Sequence, residues 1–147
     1  MFATAPASAG STFRCSDADP IVMFKCHCRD CQHVSGSGYA AVLLFPRTDV
    51  RIIKGVLQQY ATHSMAGGDN VRGFCANCGS RISGGKSPDS VGILAGSLDD
   101  PSLFHATMDI QVADAQPWDL LDPATQKFDR YPTVHRSNDL SRPTQTK

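Results

Sequence analysis

Three cysteines lie close together in the segment FKCHCRDCQHVSGSGYA, residues 24–40, and their spacing suits metal chemistry. Cys26 and Cys28 are two positions apart, so in an extended segment both thiols point to the same side. Cys28 and Cys31 form a CxxC turn, which can bring a third thiol to the same ion. Three protein ligands leave the fourth position of a zinc ion open for water or substrate, as in catalytic zinc sites. The spacing therefore predicts an open zinc site.

A second close pair, Cys75 and Cys78 in GFCANCGSRI, allows a different interpretation. Cys28 and Cys31 could share one zinc with this pair in a closed Cys₄ site, which would be structural. The protein would then be a zinc-stabilised binding module without chemistry of its own. Cys26 has no role in such a site and would be an ordinary buried thiol. The spacing alone leaves both interpretations open.

The segments CHCRDCQHVSGSGYA, RGFCANCGSRI and AGSLDDPS together resemble the glutathione-dependent formaldehyde-activating enzyme family, which includes centromere-protein-V-like proteins. The resemblance runs from about Gly10 to about Phe128. It implies a mainly β, tent-like fold of packed antiparallel sheets around zinc-binding cysteine turns, with few short helices. It also implies that Cys26, Cys28 and Cys31 hold an open zinc. The implied activity is that of a carbon–sulfur lyase, in which glutathione and formaldehyde combine reversibly to S-hydroxymethylglutathione; the alternative is a diverged member that acts on another small organosulfur or halogenated metabolite.

The chain departs from the family at a second, structural zinc site. The family forms that site from an N-terminal CxCG motif and the later CxxC pair. Gly10 matches the glycine of the motif, so Ala7 and Ala9 stand where two cysteines are expected. Alanine cannot bind a metal, and Cys75 and Cys78 therefore lose their usual partners. We keep this pair as candidate metal ligands; it could bind zinc with outside ligands, stay as free thiols or join the first cluster.

Five further residues near the cysteines are candidates for supporting roles. In an extended CHC segment His27 points away from the metal, whereas His33 could reach the open coordination position. Asp30, His33 and zinc-bound water are the candidates for the proton carrier. Arg72 and Arg81 flank the second cysteine pair, and either could bind a carboxylate of glutathione. We expect both arginines, however, to be exposed at strand ends.

The rest of the chain consists of short apolar runs separated by turn residues, a pattern typical of β structure. The runs predict strands at 11–15, 21–26, 38–45, 50–55, 57–63, 70–75, 90–98 and 108–113. The fourth and fifth of these are predicted to form a hairpin around Gly55. Helical patterns are confined to residues 29–35 and to a short segment at 100–104. The sequence therefore predicts a mainly β domain.

The composition is that of an ordinary globular domain, with 147 residues, 41% hydrophobic, 19% charged and a formal net charge of +0. This charge balance lacks the cationic excess of nucleic-acid-binding proteins, and no apolar run approaches the about 18 residues of a membrane span. We expect neither partner and leave a homodimer open. No lysine or arginine precedes Arg14 and the early apolar run is broken, so we expect no secretion signal and a cytoplasmic protein, in which six cysteines indicate metal binding or catalysis more than disulfides. We predict one domain over residues 1–130 and a polar, flexible tail over 131–147.

Overall fold

The computed structural model describes residues 2–4, 12–15, 19–64 and 67–132, with side chains described in the last two ranges. It is mostly β, as predicted. The strands in these ranges are β1 (Phe2–Thr4), β2 (Thr12–Cys15), β3 (Val22–Cys26), β4 (Ala40–Pro46), β5 (Val50–Lys54), β6 (Leu57–His63), β7 (Asp69–Cys75), β8 (Arg81–Gly85), β9 (Ser90–Leu94), β10 (Met108–Ile110) and β11 (Gln126–Phe128). The α-helix α1 is Arg29–Ser35, as the sequence predicts. No described helix is long and apolar enough to cross a membrane.

The described strands form two sheets. One has the order β1-β2-β5, and the other has the order β11-β10-β3-β4-β9-β8-β7-β6. Most neighbours are antiparallel, but β10 runs parallel to both β3 and β11. The long connection after β9, which includes short 3₁₀ turns at Ala95–Ser97 and Pro101–Leu103, carries the chain across to β3. A connection of this length is what parallel pairing requires.

The predicted hairpin around Gly55 is wrong. Gly55 has φ +79, and the chain passes there from one sheet to the other. β5 pairs with β2 in the small sheet, whereas β6 pairs with β7 along its whole length. The turn between β6 and β7 contains Gly67 and Gly68 at positive φ, where glycine is favoured because it has no Cβ. The predicted partner of β5, strand β6, therefore pairs with β7 instead.

The large sheet has an apolar cluster on each face. Alternate residues of β4 point to opposite sides, so Leu43 and Phe45 enter one cluster while Ala40 and Val42 enter the other. The first cluster also contains Ile82 and Ile93 and forms the main core. The second cluster consists of Cys26, Cys31, Ala40, Val42 and Ile110. The face that carries the second cluster is the one that positions the candidate site.

Candidate metal centre

The three cysteines predicted from the sequence meet in one cluster. The Sγ atoms of Cys26, Cys28 and Cys31 all lie within 4.8 Å of one another. A tetrahedral zinc ion bound at about 2.3 Å from each sulfur needs sulfurs about 3.8 Å apart. Within the described ranges, this is the group of His, Cys, Asp and Glu residues that could hold a metal ion. The donor set and its spacing fit zinc with one coordination position left over.

The strand-to-helix junction between β3 and α1 brings the three thiols together. Cys26 ends β3 and is buried. Cys28 has extended backbone and caps α1, and its Sγ accepts a hydrogen bond of 3.4 Å from the backbone N–H of Cys31. Cys31 lies one turn later on the buried side of the helix. Thiols at these spacings therefore come together because an extended backbone is followed directly by a helical turn.

The three thiols interact strongly before any metal is considered. Hydrogen bonds from Cys26 and then Cys31 lower the pKa of Cys28, because they stabilise its thiolate. Cys28 and then Cys31 raise the pKa of Cys26, and burial adds to this effect. Loss of a proton from one thiol of the metal-free cluster thus opposes the loss of protons from the others. A divalent cation would stabilise the remaining thiolates and release those protons.

Cys75 and Cys78 do not belong to this cluster. Cys75 is buried in the main core beside Leu43 and Phe45, on the opposite face of the sheet from Cys26. Cys78 is exposed, and its thiol donates to Ser80 Oγ at 3.1 Å. A closed Cys₄ site shared by the two pairs is therefore not formed. Whether the second pair binds a metal of its own stays a prediction, and Ala7 and Ala9 lie outside the described residues.

His27 is held on the opposite side of the CHC segment by two carboxylates. Its Nε2 lies 2.8 Å from Asp109 Oδ1, and its Nδ1 lies 2.7 Å from Asp119 Oδ2. The ring is only 1% exposed, and Tyr39 packs against it with 5.4 Å between the ring centroids. Because both ring nitrogens face carboxylate oxygens, both can donate only as an imidazolium. His27 thus fixes the backbone between Cys26 and Cys28.

Asp109 is the centre of this buried network. It is 0% exposed, and it accepts a hydrogen bond from Thr125 Oγ1 as well as the one from His27. Lys25 Nζ lies 3.9 Å from its Oδ1, and Lys127 Nζ lies 3.8 Å from its Oδ2. Burial alone would raise the pKa of Asp109, but Thr125, His27 and Lys25 outweigh burial and lower it. The carboxylate is therefore ionised at neutral pH.

Asp119 reaches His27 because residue 38 is glycine. A Cβ on Gly38 would lie 2.6 Å from the Asp119 carboxyl group, closer than any side chain tolerates. The sequence gives no local sign of either carboxylate, since they lie far along the chain from His27. The small residues of SGSGYA thus leave space for a carboxylate that supports the cluster.

The predicted exposure of the two arginines is wrong for Arg72 and only partly right for Arg81. Arg72 is 3% exposed; its Nη1 donates to Thr62 Oγ1, while its Nε and Nη2 have no hydrogen-bond partner. Arg81 is half-buried, and its Nε and Nη1 also lack a partner. The positive charge of Arg72 helps to lower the pKa of Cys28. Two guanidinium groups with unused donors therefore lie beside the thiols.

His33 does not lie where the sequence predicted, at the open coordination position of the metal site. His33 is exposed, and its Nε2 lies 3.2 Å from Arg29 Nη2, outside the cysteine cluster. Asp30 is partly exposed, and its Oδ2 lies 3.8 Å from Arg72 Nη2. Tyr131, which the sequence places in the tail, lies near the thiols instead. Burial raises the pKa of Tyr131, and the charges of the three thiols add to it, so its hydroxyl stays protonated at neutral pH.

A cavity of about 490 Å³ opens directly onto the cysteine cluster. Cys26 and Cys31 lie in its wall, together with Arg81, Tyr131 and Pro132. Much of the remaining wall is formed by apolar side chains of β3, β4 and β10. A small molecule in this cavity would therefore have direct access to the sulfur atoms.

A comparison with solved structures gives the same overall fold. A crystal structure of a Rhodobacter sphaeroides protein superposes with a TM-score of 0.55 at 16% sequence identity, over 87% of this chain and 99% of that chain. No curated protein matches the chain. The sequence model described as glutathione-dependent formaldehyde-activating enzyme matches residues 10–114, which is most of the chain. The chain is therefore a member of the glutathione-dependent formaldehyde-activating enzyme family.

Proposed function

We propose that the protein is a zinc-dependent carbon–sulfur lyase that acts on a small thiol, such as glutathione, and an aldehyde, of which formaldehyde is the simplest. The observation that carries this proposal is the cluster of three sulfur atoms, of which those of Cys26 and Cys31 belong to residues in the wall of a cavity. A structural site would be closed by a fourth protein ligand, whereas here the nearest other cysteine pair lies elsewhere in the fold. Family membership supports the same type of activity.

The proposed reaction forms one carbon–sulfur bond. The thiol sulfur attacks the aldehyde carbon, the carbonyl π bond breaks, and the thiol proton ends on the new hydroxyl group; the reverse reaction releases both reactants. A zinc ion held by Cys26, Cys28 and Cys31 would favour the thiolate form of the substrate at neutral pH. The protonated Tyr131 hydroxyl, in the same cavity wall, is our candidate hydrogen-bond donor to the developing alkoxide.

Exchange of formaldehyde carbon between its hydrate and its thiol adduct tests this proposal. With carbon-13-labelled formaldehyde, magnetisation transfer by NMR should show faster exchange in the presence of the zinc-loaded protein. Protein that is stripped of zinc by a chelator and then reloaded is the control. Circular dichroism of the stripped protein shows whether removing zinc also changes the fold. The lyase proposal would be rejected if the exchange rate equalled the uncatalysed rate with every thiol, both for formaldehyde and for larger aldehydes.

The two arginines beside the cysteine cluster support the proposed thiolate chemistry. Zinc with three cysteine thiolates carries one net negative charge, and a substrate thiolate adds a second. Arg72 and Arg81 supply two positive charges, and their unused donors lie beside the cluster. Buried cations are costly unless an anion compensates them. The two guanidinium groups therefore offset part of the negative charge that is present when a thiolate is bound.

Replacing Arg81 by methionine should weaken thiol binding by about 30-fold at neutral pH. Removing a unit charge even about 8 Å away costs about 2 kcal/mol at an effective dielectric constant of about 20. Since the thiol binds as thiolate, the pH midpoint of binding should also rise by more than about one unit. Isothermal titration calorimetry measures both effects, with the exposed Arg51→Met as the matched control. Equal affinities of the two variants would contradict this role.

The remaining expectations about partners and location belong to the same proposal. We propose the cytoplasm as the location, because the thiols of Cys26, Cys28, Cys31 and Cys78 are free and a reducing compartment keeps thiols in that state. We propose a small thiol as the binding partner, and neither nucleic acid nor a membrane. A homodimer stays open as a prediction.

A further inference from the structure

We propose that the thiol substrate of this site carries an apolar chain and that this chain lies in the cavity beside the cysteines. The inference rests on the proposed thiol chemistry and narrows its substrate class. Glutathione, in contrast, carries two carboxylates and an ammonium group. The walls of the cavity, its polar groups and its length all bear on this distinction.

The walls next to the cysteines are apolar because of strand alternation. Residues two and four positions before Cys26 on β3 point to the same side as its thiol, and the neighbouring strands contribute residues to that side. These wall residues are Val22, Phe24, Val42, Leu44, Met108 and Ile110. Four of them are only partly buried, so part of each side chain stays accessible from the cavity. The strip is therefore open to an apolar ligand.

The strip is long enough for a chain of several carbon atoms. A strand rises by about 3.3 Å per residue, so Val22 lies about 13 Å from Cys26 along β3. A thiol with its sulfur at the cysteine cluster would direct its carbon chain along this strand, toward the pair formed by Val22 and Leu44. The cavity volume of about 490 Å³ is sufficient for such a ligand.

The polar groups of the cavity match glutathione only in part, because Arg81 and Lys86 could pair with its carboxylates but not with its ammonium group. No acidic residue lines the cavity among the described residues, so nothing there would pair with an ammonium group. Asn70 Oδ1 already accepts from the backbone N–H of Gly85 at 3.0 Å. Lys86 donates to Ser64 Oγ and to Gly67 O, and its Nζ lies 5.2 Å from the Tyr131 ring centroid. Burying the ammonium group of glutathione without an anionic partner would therefore oppose binding.

The chain's own C-terminal segment is the competing occupant. Residues 133–147 follow directly after Pro132, which lies in the cavity wall. The segment TVHRSNDLSRPTQTK contains only Val134 and Leu140 as large apolar residues, and neither is next to another. A continuous apolar wall next to thiol ligands is better matched by an apolar thiol than by this polar sequence.

A series of thiols of equal acidity tests the inference. Cobalt(II) substituted into the full-length protein gives absorption bands that report each added sulfur ligand, independently of turnover. We expect ethanethiol, butanethiol and hexanethiol to bind progressively tighter, by about fourfold per methylene, which corresponds to about 0.8 kcal/mol. Hexanethiol should also bind more tightly than glutathione and than mercaptohexanol, which has the same chain with a polar end.

Substitutions in the cavity wall show where the carbon chain of the thiol binds. Leu44→Asn should remove at least about tenfold of the hexanethiol affinity while leaving ethanethiol binding unchanged, since the short chain does not reach residue 44. Leu120, which is 91% exposed, gives the matched control Leu120→Asn. If Leu44→Asn fails to bind cobalt, the smaller change Val22→Thr replaces it, with a proportionally smaller loss for hexanethiol only.

The outcomes separate this inference from the proposed function. Thiols that bind with no dependence on chain length, or glutathione that binds more tightly than hexanethiol, would overturn the apolar substrate and leave the lyase proposal standing. A chain-length dependence that emerges only after removal of residues 133–147 would identify that segment as the occupant and also overturn the inference. No spectral change with any thiol would reject thiol binding itself, and the inference with it.

Discussion

The Cys28→Ser variant should lose both formaldehyde exchange activity and tight zinc binding. Removing a hydrogen-bond partner of a metal ligand already costs about 10–100-fold in affinity, and removing one of three thiolates should cost well over that. Cys28 is the least buried of the three cysteines, and it caps α1, so serine can keep the capping role. The loss should therefore reflect metal binding more than folding.

Zinc affinity is measured by competition with a chromogenic chelator, and activity by carbon-13 exchange. Cys15→Ser is the matched control, because Cys15 belongs to neither cysteine pair. Far-ultraviolet circular dichroism of both variants shows whether the fold is kept. Wild-type exchange activity in Cys28→Ser would contradict the assignment of this cysteine as a ligand of the reactive metal.

Replacing Asp109 by asparagine should lower the free energy of unfolding by about 3–5 kcal/mol, the usual cost of removing one partner of a buried charge pair. Asp109 accepts from His27 and Thr125 inside the protein, and asparagine would turn a donor toward one of them. Because His27 lies between two of the cysteines, zinc affinity should also fall by about 10–100-fold. Chemical denaturation of the metal-loaded and metal-free proteins separates the two effects.

The pH dependence of stability gives a second signature of Asp109. Its pKa is lowered in the folded protein, so its contribution is present above the ordinary carboxyl pKa of about 4 and is lost as pH falls through the folded value. The Asn variant should lose less stability than wild type between about pH 4 and the acid transition. Asp114, whose partner Arg130 lies on the surface at 3.2 Å, provides the control Asp114→Asn with a cost below about 1 kcal/mol. Equal destabilisation of the two variants would show that the buried network is not structural.

The cysteine cluster and its helix could be predicted because their signals are local. A two-residue spacing in extended backbone and a CxxC turn bring Cys26, Cys28 and Cys31 together over six residues of the chain. The helix over residues 29–35 begins and ends at the predicted positions for the same reason, with Gly36 in the left-handed conformation after it. Local geometry therefore determines the positions of the three candidate metal ligands.

The support of the site could not be predicted, because it depends on strand register across the sheet. Asp109 reaches His27 only because β10 lies parallel to β3, and nothing near either residue indicates that pairing. The sequence predicts no strand at β8, whose segment RISGG contains two glycines, yet Ile82 is fully buried and Gly84 leaves room for the Arg81 guanidinium. Tyr131 was assigned to the tail from its polar surroundings. Long-range packing determines the role of each of these residues.

The central claim, a three-cysteine zinc site open to a thiol, is tested most directly by zinc-edge X-ray absorption. The Cys78→Ser variant is the sample of choice, because it removes the second cysteine pair as a source of signal. We predict one zinc per chain with three sulfur ligands and one oxygen or nitrogen ligand, and a fourth sulfur after a thiol is added. Four sulfur ligands before any thiol is added, or a spectrum that no thiol changes, would contradict the claim.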